Sequence, residues 1–310
     1  MNSISASANP LVAVSHHLAG IVESVGASVV ALHAGRNDSV AGVFWRSGVV
    51  VTVAHAIRHG RELRLILPDG RTAQAALAGI DSTTDLAALR VDDASLRPAS
   101  VGDAASVRTG HIAIAVARGT HGELAVDHGL IGRAGGAWQT WRGGRIDRYL
   151  RLDGGLAAGF SGAPIADAEG NVIGIGTSAL ARGYGIVIPD STVNRVLDEL
   201  LSKGRVSRGW FGIGTQAVQL PAGLVDSLKL DTPHGLLVTS IADDSPAERG
   251  GMLLGDIVIA IGAARVDSID ALHAALAAGR IGAAVKVVVV RGGTRAELDV
   301  TVGERPRSSC

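Results

Sequence analysis

Ser161 lies in Ala158-Gly159-Phe160-Ser161-Gly162-Ala163-Pro164, with glycines on both sides and a proline closing the turn. Glycine allows a tight backbone turn and close approach of a ligand. In such a turn the N–H groups of Gly159 and Ser161 can converge on one point and stabilise a developing negative charge. A serine hydroxyl is a weak nucleophile by itself. It needs a base to take its proton and an acid to orient that base. Two upstream stretches offer these groups. The β-branched run Val49 to Ala54 ends at His55, and Asp85 opens the apolar run Leu86-Ala87-Ala88-Leu89. Asp81 is a rival acid in a turn-like context. Gly-x-Ser-Gly also occurs in ordinary turns, so the reading rests on the three stretches together.

Strands must carry these residues. Tyr149–Leu152 precedes the serine stretch and Val172–Ile175 follows it. Earlier runs at Ala27–Leu32, Val43–Ala54, Glu62–Leu67, Ala73–Ile80, Ile112–Val116 and Gly122–Leu130 have similar length. Short strands at regular spacing with glycine-rich turns indicate a sandwich or barrel. Pro10 to Ser24 reads as a short helix with Leu11, Val14, Leu18, Ile21 and Val22 on one side. Residues 132–147, with Trp138 and Trp141, read as a mobile loop. Asp190-Ser191 can cap a helix whose apolar face is Val193, Val196, Leu197, Leu200 and Leu201. Lys203 and Gly204 end it, and 204–207 read as a linker. Beyond it, Ser245-Pro246-Ala247-Glu248 is a capping box with proline at the first helical position. A helix starting at Asp267 or Ser268 would present Leu272 and Leu276.

Composition narrows the class. The chain has 310 residues, 47% of them hydrophobic, so a sizeable core is possible despite few aromatics. Formal net charge is zero, which argues against nucleic acid as principal partner. The one cysteine, Cys310, excludes an intrachain disulfide and a cysteine metal cluster. His16 and His17 are adjacent and would diverge on a helix, and the other histidines are scattered, so no metal or cofactor is expected. No run of roughly 18 apolar residues spans a membrane. Residues 1–35 lack Lys and Arg, so no signal peptide is read and the expected location is cytoplasmic.

Thr52-Val53-Ala54-His55, Asp85-Leu86-Ala87-Ala88-Leu89 and Gly159-Phe160-Ser161-Gly162-Ala163-Pro164, followed by Gly170 to Ile175, resemble the HtrA (Deg) family of trypsin-like serine proteases. The order His, Asp, Ser is that of chymotrypsin-like proteases, not of subtilisins or α/β-hydrolases. The resemblance covers nearly all of residues 18–305. It implies a mainly β fold: a chymotrypsin-like double β-barrel of two six-stranded barrels, followed by a PDZ domain. The segments would be a tail and short helix at 1–24, a protease domain at 25–203, a PDZ domain at 208–304 and a tail at 305–310. His55, Asp85 and Ser161 would be catalytic, and Gly159 and Ser161 would form the oxyanion hole. The substrate pocket would involve Gly155, Ile175, Gly176 and Thr177. No acid is read there, so an apolar or small residue is expected before the scissile bond. Trp210, Phe211, Gly212 and Ile213 resemble the carboxylate-binding loop of a PDZ domain, with Leu272 and Leu276 on the opposite groove wall.

The implied partners are unfolded or exposed polypeptide segments and C-terminal peptides. Related proteases are often trimers held partly by N-terminal aromatics, whereas the first aromatic here is Phe44. Relatives are often periplasmic, against the cytoplasmic reading of this N-terminus. Two residues depart from the family pattern: Phe160 stands for an asparagine and Ala163 for a glycine. An aromatic at 160 is expected to disturb the peptide that aims the Gly159 N–H. That leaves an alternative reading, a catalytically impaired pseudoprotease acting as a PDZ peptide-binding module.

Overall fold

The computed structural model describes residues 9–33, 39–57, 63–93, 96–276 and 280–305. Residues 1–8 of the expected N-terminal tail and residues 306–310 of the C-terminal one lie outside them. The chain divides into two compact units, Met1–Val206 and Ser207–Cys310.

The first unit opens with helix α1 (Pro10–Gly26), two residues longer than the pattern indicates. Asn9 caps it by accepting the Leu11 N–H, and Pro10 sits where a missing N–H costs nothing. Only the C-terminal half of its apolar stripe is covered. Ile21 and Val25 enter the core, whereas Leu11 is 76% exposed. Strands β1 (Val29–His33), β2 (Ser39–Arg46), β3 (Val49–Val53), β4 (Leu63–Ile66), β5 (Thr72–Asp81) and β6 (Leu86–Arg90) follow. They close a barrel in the order β1-β2-β3-β6-β5-β4. Strands β7 (Ile112–Arg118), β8 (Leu124–Gly135), β9 (Trp138–Gln139), β10 (Arg145–Ile146), β11 (Tyr149–Leu152), β12 (Pro164–Ala166), β13 (Val172–Thr177) and β14 (Ile186–Pro189) come next. Six of them close the second barrel, in the order β11-β14-β13-β12-β7-β8. Leucine and valine around the fully buried Phe44 fill the first interior, and alanine, isoleucine and valine with Phe160 fill the second.

Residues expected as a mobile loop prove to be ordered: β9 and β10 pair as a hairpin. Two contacts fix it. The Thr140 hydroxyl donates to the Thr83 carbonyl at 2.7 Å, and the Trp138 and Tyr149 rings meet edge to face. Helix α2 (Asp190–Lys203) buries Val193, Val196, Leu197 and Leu200 against the barrels and ends on Gly204 in the left-handed conformation. Asp190 does not cap this helix. Pro189 holds that position, and the Asp190 carboxylate accepts the Ala104 N–H instead.

The second unit holds β15 (Gly209–Trp210), β16 (Ile213–Gln219), α3 (Ala222–Leu228), β17 (His234–Ile241), α4 (Pro246–Arg249), β18 (Ile257–Ile261), β19 (Ala264–Arg265), α5 (Ile269–Ala275), β20 (Ala284–Arg291), β21 (Thr294–Thr301) and β22 (Gly303–Glu304). Its main sheet runs β16-β17-β18-β20-β21, leaving β16 on an edge. The capping box forms through Ser245 Oγ, which accepts the Glu248 N–H. Leu272 and Leu276 are buried in the core of this unit, 5% and 7% exposed. Inside the same unit Arg291 grips the buried Asp256 carboxylate with two bonds of 2.7 Å.

Candidate active site

Strand pairing brings two of the candidate groups together. β3 and β6 run antiparallel with Val53 opposite Leu86, so the residues just beyond that register are neighbours. His55 lies in the short turn after β3, and Asp85 immediately precedes β6. Asp85 is 2% exposed and adopts φ +61°. That backbone conformation is costly for a non-glycine residue and needs support from its surroundings. Asp81 supplies it. Its carboxylate accepts from the Thr83 N–H and hydroxyl and from the Thr84 hydroxyl. The rival acid therefore shapes the turn that presents Asp85.

The Asp85 carboxylate is fully engaged. His55 Nδ1–H donates to it, 2.8 Å from Oδ2 and 3.0 Å from Oδ1. The His55 backbone N–H also donates to Oδ1 at 3.0 Å. The Thr177 hydroxyl donates to Oδ2 at 2.5 Å. Bonding to this carboxylate raises the His55 pKa above its ordinary 6.5; partial burial lowers it, the Asp85 charge raises it again, and the Arg142 charge lowers it. With Nδ1 committed to Asp85, Nε2 is the nitrogen left to exchange a proton with a substrate or nucleophile.

Ser161 comes from the turn between β11 and β12. Its carbonyl accepts the Ala41 N–H from β2 at 3.2 Å, which joins this turn to the first barrel. Gly162 has φ +85°, and a side chain there would collide with the Ala41 carbonyl. Only glycine satisfies both conditions. Inside the turn Ala157 O accepts the Phe160 N–H, and Phe160 O accepts the Ala163 N–H. Among the described residues the Gly159 and Ser161 N–H groups donate to no protein acceptor. Ser161 Oγ lies 3.1 Å from Ser178 Oγ and accepts from the Ser178 N–H at 3.4 Å. Among the described residues no hydrogen bond joins it to the His55 ring.

Phe160 was expected to disturb this turn. It is buried, 9% exposed within the apolar interior of the second barrel. Ala163 is fully buried in the same cluster.

The residues proposed for a pocket have diverse placements. Ile175 is a core side chain, and Thr177 directs its hydroxyl at Asp85. The Gly176 carbonyl accepts the Gly162 N–H. Gly155 does line a small cavity, shared with Ala113, Ala115, Leu152 and Ile165. Asp127 and Asp153 line it too, so the expectation that no acid lies near Gly155 is corrected. Asp127 accepts the Ala157 N–H at 3.0 Å and Asp153 accepts the Leu130 N–H at 2.9 Å. Asp153 lies two residues before Gly155 in the chain, whereas Asp127, on β8, reaches the cavity only when the barrel closes. No group of described residues has the makings of a metal site, and no helix among them is long and apolar enough to cross a membrane.

In the second unit, Phe211 is 1% exposed and belongs to the core. Its carbonyl accepts the Ala247 N–H, and the Gly212 carbonyl accepts the Ala242 N–H. Among the described residues the N–H groups of Phe211 and Gly212 donate to no protein acceptor. The Trp210 ring lies against Gly212, and Ile213 begins the edge strand β16.

Comparison with known proteins agrees with this architecture. Residues 40–175 match the trypsin-like peptidase domain family, and residues 209–302 match the PDZ domain family. A probable periplasmic serine endoprotease DegP-like of Halomonas elongata is 32% identical over 266 residues, covering 84% of this chain and 55% of that protein. A Pseudomonas putida protein of the same description is 31% identical over 265 residues, covering 84% and 54%. The chain thus spans about half the length of the curated relatives it matches. Among solved structures, the HtrA-type protease AlgW with decapeptide superposes with TM-score 0.77 at 27% identity, over 93% of this chain and 99% of that one. The same protease with tripeptide gives TM-score 0.75 at 28% identity, over 93% and 97%. Two closed six-stranded barrels, a PDZ unit and these likenesses lead to one assignment: the chain belongs to the HtrA family of trypsin-like serine proteases that carry a PDZ domain.

Proposed function

We propose that this chain is a serine endopeptidase that cleaves unfolded or exposed protein segments with Ser161, His55 and Asp85, while its PDZ unit holds C-terminal peptides. The observation that carries the reading is the buried Asp85 carboxylate, bonded at once to His55 Nδ1 and Thr177 Oγ1, beside a serine turn with two free N–H groups. In this reading neutral His55 takes the Ser161 proton at Nε2 as Oγ attacks the scissile carbonyl. Asp85 stabilises the imidazolium that forms, and the N–H groups of Gly159 and Ser161 receive the oxyanion. His55 then delivers its proton to the leaving amine, and water resolves the acyl-enzyme by the reverse route. The free N–H groups of Phe211 and Gly212 suit a peptide carboxylate, and the exposed edge of β16 suits an added peptide strand.

Assembly as a homotrimer belongs to the same proposal, and the exposed Leu11, Val12 and Val14 of α1 supply an apolar surface for it. The deciding experiment is reaction of the chain with a fluorophosphonate, with casein cleavage in parallel. Labelling at Ser161 together with cleavage supports the protease. Peptide binding without labelling would establish the second reading, a PDZ module on an impaired protease. That reading draws support from Ser161 Oγ being bonded to Ser178 and not to His55.

A further inference from the structure

Ser178 follows Thr177 directly after β13 and is exposed. Its hydroxyl and its backbone N–H both meet Ser161 Oγ, at 3.1 and 3.4 Å. These are the hydrogen bonds of that oxygen among the described residues. A serine hydroxyl has one proton to give. Whichever of the two hydroxyls donates, this arrangement holds Ser161 Oγ on Ser178 and out of a hydrogen bond with His55.

The surroundings leave few atoms able to change this. The Ser161 carbonyl is fixed by the Ala41 N–H, and a side chain at Gly162 has no room. The His55 ring is locked through Nδ1 on Asp85, and Asp85 through the Thr177 hydroxyl. Rotation of the Ser161 side chain about χ1, among three staggered wells, is the remaining freedom. Ser178 stabilises one of those wells.

We infer that Ser178 is a positioning residue that holds the Ser161 hydroxyl away from His55 in the resting site. The nucleophile is armed when this contact is released and Oγ turns to Nε2. The inference rests on the protease reading above. A neutral hydrogen bond of this kind biases two such rotamers by about 2- to 10-fold, so its removal acts on rate within that range.

The test compares the full chain with its Ser178→Ala and Ser178→Thr variants at a pH where His55 is neutral. One readout is the rate of phosphonylation by a fluorophosphonate, in which Ser161 Oγ bonds to phosphorus, fluoride leaves and His55 takes the proton. The second is the nitrogen-15 shift of His55 Nε2, which reports whether that atom accepts a hydrogen bond and needs no turnover. Ser178→Ala is expected to react about 2- to 10-fold faster, and its Nε2 to become hydrogen-bonded. Ser178→Thr keeps the hydroxyl and is expected to restore the parent rate. A merely structural role for Ser178 would not accelerate the reaction on truncation. Equal or slower phosphonylation of Ser178→Ala overturns the inference, as does an Nε2 that already accepts a hydrogen bond in the parent. If no form reacts and the Nε2 shift still moves on truncation, the protease reading fails and the positioning role stands. If neither changes, the positioning role is rejected.

Discussion

The serine turn at 157–163 and the loop at 210–213 solve one backbone problem in the same way. Each ties its carbonyls inward, onto Phe160, Ala163 and Ala41 in the first and onto Ala247 and Ala242 in the second. Each thereby leaves two N–H groups without a protein acceptor among the described residues. Each relies on glycine at positive φ, Gly159 at +87° and Gly212 at +84°. Each is pinned by a buried phenylalanine, Phe160 or Phe211. The difference lies in the side chains around the donors. The first turn has a hydroxyl in the motif and an imidazole–carboxylate pair bonded to the residue next to Ser178. The second has apolar residues. A pair of donors alone can bind an anion; donors beside a nucleophile and a base can stabilise an anion that forms during a reaction.

The largest expected effect separates the two loops outright. Ser161→Ala is predicted to lower kcat by about 10⁶-fold, the scale of losing a triad nucleophile. Melting temperature and C-terminal peptide affinity should stay near parent values. Casein hydrolysis, a thermal melt and peptide titration check this together, and undiminished cleavage would reject the role given to Ser161.

Two buried carboxylates allow a second contrast. Asp85 serves the first unit's site, whereas Asp256 is held by Arg291 inside the second. Arg291→Ala leaves Asp256 buried and unpaired, which typically costs about 3–5 kcal/mol. Burial pushes the Asp256 pKa up, but the Arg291 bond, the Leu253 N–H and the Arg291 charge outweigh it and hold it below 3.8. Stability from this pair is therefore full above the unfolded carboxylate value and is lost as pH falls through the lower folded one. Denaturant melts of the second unit should show the loss near neutral pH, and a loss under about 1 kcal/mol would contradict the pairing argument.

For the loop at 210–213 the sharpest probe is the ligand's own terminus. A peptide with a free carboxylate is predicted to bind about 10- to 100-fold more tightly than its amidated form, the scale of a few charge-assisted hydrogen bonds. Equal affinities by calorimetry would remove the parallel with the serine turn.

Phe160→Asn tests whether the phenylalanine anchor matters as stated. Placing an amide among Ala113, Ile165 and Val187 costs about 1–3 kcal/mol. Melting temperature and kcat should fall together. A rise in kcat would restore the view that the aromatic disturbs the donors.

The smallest effect is a displacement of the pH profile. Because the His55 pKa is raised, the acidic limb of kcat/KM should have its midpoint above 6.5, with activity rising as His55 loses its proton. Stability runs the other way. The contribution of the protonated His55–Asp85 pair is full below the unfolded histidine value and is lost as pH rises through the folded one. Arg142→Ala removes a positive charge near the ring and should move the midpoint upward. A midpoint at or below 6.5 in the parent would contradict the raised value.

Much of the architecture is legible along the chain because it is local. Strand lengths, glycine turns and the C-terminal end of α2 follow from residue type within a few positions. His55 and Asp85 are recognisable because each stands where a β-rich run meets a turn, and adjacent antiparallel strands then place them together. Gly212 and the Ser245 capping box are local in the same sense. By contrast, Phe160 looks like a foreign side chain in a glycine turn until the barrel closes around it.

The sequence by itself determined the two-unit plan, the order of the His, Asp and Ser motifs and the glycines their turns require, because backbone propensity and short motifs act over a few residues. Tertiary structure alone decided the rest. Thr177 bonds the Asp85 carboxylate 92 residues away, and Thr140 clamps the hairpin onto Thr83. Leu272 and Leu276 turn inward, and Asp127 borders the Gly155 cavity. Ser178, one residue beyond the expected pocket, meets the serine hydroxyl. Each outcome depends on which groups face one another across a closed sheet, and that pairing is fixed by register and burial over long separations that no short stretch encodes.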